Sequence, residues 1–129
     1  MSSSRKERLG IGIVGGGFVA GFHIRSFEAV RNADIRGVVS RTRDTATNAA
    51  ALVKDLGVGD AEVFESVAEM VTDSSIDAIW ICSPNFTHVE IMEEIVDTLE
   101  SGQGKLVGVC CEKPLGRNVA EARRMAELV

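Results

Sequence analysis

Aromatic side chains are scarce in this sequence: they make up 5% of its 129 residues, and tyrosine is missing altogether. Its 45% hydrophobic content is carried instead by Val, Ile, Ala and Leu, the residues that fill buried parallel strands and the helices laid over them. Positive charge is also in deficit. The 14 Lys and Arg against 19 Asp and Glu leave a net charge of −5, so no overall field draws the chain onto nucleic acid or an anionic membrane. Long apolar runs are lacking: Ala78 to Cys82 and Leu106 to Cys111 are far too short to cross a bilayer. Met1 to Arg8 is polar, unlike a signal core, and a soluble cytoplasmic protein is expected. The three cysteines, Cys82, Cys110 and Cys111, show no metal-type spacing and fall in or beside strand-like runs. They read as reduced, buried thiols, and no metal site is expected.

What is present fits one packed core and little more. After a charged, Ser-rich leader over residues 1–8, expected to be flexible, the remainder, 9–129, reads as a single domain of alternating strands and helices. Strands are predicted at Leu9 to Val14, Asp34 to Ser40, Glu62 to Phe64, Ile76 to Cys82 and Lys105 to Cys111. Helices are predicted at Phe18 to Val30 (apolar face Phe22, Phe27, Val30), Arg41 to Leu56, Ser66 to Val71, Thr87 to Glu100, and from Val119 to Val129. Asp44 or Thr42 can cap the second helix, and Gly57 and Gly59 stop it. The alternation implies right-handed crossovers and an α/β fold: a doubly wound, mostly parallel sheet in three α/β/α layers.

Between the first strand and first helix stands Gly15-Gly16-Gly17-Phe18-Val19-Ala20. This matches the dinucleotide pattern G-x-G-x-x-G/A in its proper context. Gly15 allows the tight turn, Gly17 lets backbone approach a pyrophosphate, and Ala20 lets the helix pack on the strand. The helix start, with Phe18 and Val19, then offers free N–H groups to the phosphates. At the end of the second strand, where an acidic residue would hold the ribose hydroxyls of NAD, the sequence has Ser40 and Arg41, with Arg43 nearby. An arginine there can pair with the 2′-phosphate of NADP. NADP is therefore expected over NAD, the competing reading being that Arg41 and Arg43 are solvated charges of the following helix.

Two further segments leave the carboxyl ends of predicted strands, the edge where open α/β sheets bind ligands: Ser83-Pro84-Asn85-Phe86-Thr87-His88 and Glu112-Lys113-Pro114. Together with the glycine turn and His23 just after it, they make the chain resemble the Gfo/Idh/MocA oxidoreductases. The resemblance covers nearly the whole sequence. It implies the Rossmann-type, nucleotide-binding domain of an enzyme that moves a hydride between a nicotinamide cofactor and a hydroxyl or carbonyl carbon of a sugar-like or polyol substrate.

On that resemblance Lys113 is catalytic, donating a hydrogen bond to the substrate oxygen and assisting proton transfer, Glu112 sets its position, and both, with Pro114, also border the bound cofactor. The positive nicotinamide of an oxidised cofactor would disfavour the charge on Lys113 and make it a better proton carrier. Pro114 fixes the loop, and a cis Lys113–Pro114 bond is open to it. Ser83, Pro84 and Asn85 would line the pocket near the nicotinamide ribose. His88 is a cofactor-side candidate, though at the start of a helix a histidine equally satisfies backbone groups. His23 reads as a helix residue facing the sheet. The family's general base comes from a C-terminal substrate domain, none of which is recognisable before Val129, so the chain is expected to bind cofactor and to lack turnover alone. Sheet surface left bare would favour a homo-oligomer. The alternative is a non-catalytic, nucleotide-sensing protein on the same fold, against which the Glu112-Lys113-Pro114 segment argues.

Overall fold

The computed structural model describes residues 7–129. Five strands form one parallel sheet: β1 (Leu9–Val14), β2 (Ala33–Val39), β3 (Glu62–Val63), β4 (Ala78–Ile81) and β5 (Gly108–Cys111), in the order β3-β2-β1-β4-β5. The helices are α1 (Phe18–Ser26), α2 (Arg43–Leu56), α3 (Val67–Thr72), α4 (His88–Glu100) and α5 (Val119–Leu128). Single 3-10 turns at Phe27–Ala29 and Asn85–Thr87 adjoin α1 and α4. Residues 1–6 of the expected leader lie outside the described residues; Arg8, at its end, pairs with Asp34 through Nε to Oδ2 at 2.9 Å and NH2 to Oδ1 at 2.6 Å.

Alternation along the strands divides the core in two, with a bulge in β2 between Ile35 and Gly37 that brings Ile35 and Val38 to the same face. Ile13, Ile35 and Val38 pack under α1 and α2 with Ala20, Ile24, Ala46, Ala50 and Val53. Val14, Val39, Ile79 and Ile81 point the other way, onto Met70 of α3, Ile91 and Ile95 of α4 and Met125 of α5. Helices on both faces are what a parallel sheet of near-continuous Val and Ile requires, since neither face can meet water. Between β1 and β4 the connections wind away in opposite directions, and there the loops at the carboxyl edge part to leave a crevice.

The elements fall where the sequence places them, with β3, β4 and β5 shorter than expected. The sequence predicts β4 from Ile76 and β5 from Lys105, yet only lone bonds carry the pairing that far back: Asp77 N–H to Gly10 O at 2.7 Å and Val107 N–H to Asp77 O at 2.7 Å. Thr42 caps α2, its hydroxyl accepting from Thr45 N–H at 3.2 Å, and Gly57 ends that helix. The expected apolar face of α1 needs correction: Phe22 and Val30 are 62% and 42% exposed, whereas Ala20, Ile24 and Phe27 are buried. The regular helix stops at Ser26 and the 3-10 turn rotates the residues after it, so the face that packs on the sheet is set by small Ala20 and by Ile24 four residues on. The expectation of three buried thiols also fails: Cys82 is buried, Cys111 is half-buried and Cys110 is exposed. Cys110 and Cys111 point to opposite faces of an edge strand, and only Val109 and Cys111 turn toward the α4 side of the core.

Candidate functional site

The carboxyl ends of β1, β2, β4 and β5 stand level because pairing continues one residue past them. Gly15 N–H donates to Val39 O at 2.8 Å, Cys82 N–H to Val14 O at 2.8 Å, and Glu112 N–H to Ile81 O at 2.9 Å. Four loops are thereby fixed side by side around a cavity of about 890 Å³. Its lining includes Gly15, Gly17, Phe18 and Val19 from the first loop and helix turn, Ser40 and Arg41 from the second, Ser83, Pro84 and Asn85 from the third, and Glu112, Lys113 and Pro114 from the fourth. This size is in the range of cofactor and ligand sites.

The floor is the start of α1. Gly15 has φ +118°, a conformation side chains rarely adopt, and a Cβ there would come within 2.9 Å of Ser83 N. Gly17 is the residue before α1, with no side chain to cap the helix and no acidic residue in the first turn. Among the described residues, the first N–H groups of the helix therefore have no intrahelical or side-chain acceptor, and they carry its positive end. A Cβ on Gly17 would meet no protein atom within 4 Å. These features fit a pyrophosphate: free donors, favourable dipole, and room for backbone approach.

At the β2 end, Ser40 Oγ is 2.8 Å from Thr45 Oγ1, and exposed Arg41 lies on the rim. Arg43 does not line the cavity; its guanidinium pairs with Glu65, which does line it. Sequence reasoning missed Glu65. This residue stands just past the carboxyl end of β3, so the edge rule applied to the other strands would have found it.

His88 sits behind the cavity wall. It is 1% exposed and absent from the lining. Its Nε2 is 2.8 Å from Ser83 O, while Nδ1 lies 3.2 Å from Leu115 O and 3.3 Å from Cys111 Sγ. A carbonyl only accepts, so Nε2–H donates to Ser83 O, while Nδ1 donates to Leu115 O where it carries a proton and accepts from the Cys111 thiol where it does not. His88 thus joins the two proline-bearing loops from behind. Burial pushes the Cys111 thiol up to about 11 and the Cys82 thiol up to about 12, so neither supplies a thiolate near neutrality.

At the β5 end Lys113 and Pro114 are exposed on the rim, and the Lys113–Pro114 bond is cis. The Glu112 carboxylate is held by His23, Nε2 to Oε2 at 2.7 Å. That hydrogen bond keeps Glu112 below the usual carboxylate range. Helical spacing sets His23 against the sheet, which holds for its ring over Trp80, but gives no hint of Glu112.

Comparison with known proteins agrees with this geometry. Over 117 residues the chain is 32% identical to the glucose-6-phosphate 3-dehydrogenase of Bacillus subtilis (strain 168), covering 91% of this chain and 29% of that protein. It is 30% identical over 121 residues to an inositol 2-dehydrogenase of Rubrobacter xylanophilus, covering 94% and 31% respectively. The chain thus spans about a third of the length of the curated relatives it matches. Among solved structures, GenD2 from gentamicin A biosynthesis, in complex with NAD, superposes with a TM-score of 0.73 at 29% identity, covering 99% of this chain and 33% of that one. Residues 9–129 match the sequence pattern of the Gfo/Idh/MocA oxidoreductases with an NAD-binding Rossmann fold, and the chain belongs to that family.

Proposed function

We propose that this chain is the cofactor-binding part of an NAD(P)-dependent oxidoreductase acting on a CH–OH or carbonyl carbon of a sugar-like or polyol substrate, with NADP preferred over NAD. One observation carries the reading: the uncapped, glycine-led start of α1 opens into a cavity at the switch point of the sheet, with Lys113 on the same rim. Names of relatives that are sugar-phosphate and inositol dehydrogenases support the substrate class. Substrate recognition itself is assigned to residues beyond these 129.

Each part of the cavity has a task. Gly15 and Gly17 let the backbone reach the pyrophosphate, and the N–H groups at Phe18 and Val19 bind it. Pro84 and Asn85 border the nicotinamide end, with Ser83 held by His88. A bound nicotinamide dinucleotide supplies the hydride acceptor or donor. Lys113 Nζ hydrogen-bonds the substrate oxygen and holds the proton exchanged there, while Glu112 orients the loop. Arg41 forms a charge-assisted pair with a 2′-phosphate, a task left to it because Arg43 is engaged by Glu65.

Titration with NADPH and NADH side by side, for the parent chain and Arg41→Ala, tests this reading. NADPH should bind more tightly, and the substitution should weaken NADPH about tenfold or more while leaving NADH within about twofold, as expected for losing one charge-assisted contact. Equal affinities in the parent would overturn the NADP preference alone. Failure to bind either nucleotide would overturn the cofactor reading.

A further inference from the structure

We infer that His23 is a positioning residue for the Lys113 loop, acting through Glu112 on the nicotinamide half of the cavity and leaving the adenine half untouched. The inference rests on the cofactor-site reading above. His23 and Glu112 are 89 positions apart, one on the helix that floors the cavity and the other on the loop that carries Lys113. The carboxylate only accepts, so Nε2 carries the proton and donates at 2.7 Å.

The imidazole is held before it makes this bond. Its ring lies on Trp80 with centroids 4.2 Å apart and planes 35° apart, and Phe22 stands edge-on at 5.9 Å. The His23 and Glu112 side chains are 19% and 25% exposed, enough burial to limit competition from water. Glu112 is tied by its backbone, N–H to Ile81 O at 2.9 Å, and by its carboxylate, which accepts from His23 and from the Lys113 backbone N–H. A residue pinned by backbone and side chain gives the next one a fixed origin, and the next one is Lys113. Glu112 lines the cavity as well, so releasing its carboxylate would put a mobile negative charge beside the lysine.

Arg41 follows β2 whereas Lys113 follows β5, and β1 and β4 lie between them. Three strand spacings are roughly 14 Å, so a disturbance confined to the Lys113 loop leaves the adenine end intact.

The test compares the parent chain with His23→Leu, which removes the donor, and His23→Gln, whose amide nitrogen can restore it. Two probes are titrated: NADPH, which spans the cavity, and adenosine 2′,5′-bisphosphate, which carries the adenine end alone. We expect His23→Leu to weaken NADPH about tenfold and to leave the bisphosphate unchanged, and His23→Gln to recover NADPH to within about threefold of the parent. In the ligand-free proteins, the Glu112 and Lys113 amides should exchange faster in His23→Leu and return toward parent rates in His23→Gln. Unchanged NADPH affinity in His23→Leu, equal weakening of both probes, or no recovery in His23→Gln would overturn the inference. If even the parent binds no NADPH, the cofactor reading falls, and the exchange rates alone decide whether His23 positions the loop.

Discussion

At the scale of single residues, Gly15 and Gly17 look alike in the sequence and differ in what they do. Gly15 is required by the fold: positive φ and the backbone of the β4 loop leave no space for a Cβ. Gly17 is extended, with φ −87°, and a Cβ there would meet only open space. We expect Gly15→Ala to destabilise the chain by about 1–3 kcal/mol in denaturant unfolding, the range for strained backbone. Gly17→Ala should change stability by less than about 1 kcal/mol, yet weaken NADPH at least about tenfold. Equal nucleotide affinity in Gly17→Ala and the parent would remove the pyrophosphate from the start of α1. Other residues are less legible. Arg43 carries the same chemical promise as Arg41, but it pairs with Glu65, 22 positions away, and does not itself line the cavity. His88 belongs to a recognisable motif, and only the arrangement of two loops shows that its ring bonds the Ser83 backbone from behind the site.

At the scale of elements, strand and helix order can be read from periodicity because buried parallel strands and their covering helices differ so plainly in pattern. Helix ends and faces are harder, since a 3-10 turn after α1 changes which side chains are buried without changing composition. The start of α5 shows how local charge completes an element. Asn118 caps it, its Oδ1 accepting from Glu121 N–H at 2.9 Å, and Glu121 receives the Arg117 backbone N–H at 2.7 Å and its guanidinium NH2 at 2.7 Å. These bonds, the Arg117 side chain first among them, pull the Glu121 carboxyl to about 2, from an ordinary 4.5. A carboxyl whose pKa is lower in the folded chain stabilises it above the unfolded value, and that support fades as pH falls toward the folded one. The contribution should therefore be complete above about pH 5 and be lost between there and about pH 2. Glu121→Gln should flatten this limb of the stability profile in acid titrations followed by circular dichroism. An unchanged limb would show that other carboxylates dominate acid unfolding.

At the scale of the whole molecule, the cavity spans both directions of the sheet's winding. Two of its loops leave β1 and β2 and two leave β4 and β5, so an occupant of the full cavity must touch loops from both sides of the switch point. The chain carries a net charge of −5, so attraction for a polyphosphate is local, resting on the α1 start and Arg41, not on the field of the molecule. A ligand that binds only the folded chain stabilises it by about 2.7 kcal/mol at a hundred times its dissociation constant. For 129 residues this corresponds to roughly 10 °C in melting temperature. NADPH should produce that shift, while adenosine 2′,5′-bisphosphate at the same multiple of its own constant should produce an equal one, because linkage depends on saturation and not on contact area. The discriminating quantity is hydrogen exchange: NADPH should protect amides after β1, β2, β4 and β5 beyond the global gain, whereas the bisphosphate should add local protection only after β1 and β2. Identical protection patterns for the two ligands would mean that the nicotinamide half does not occupy the β4 and β5 loops, and Lys113 could not then act on a substrate beside it.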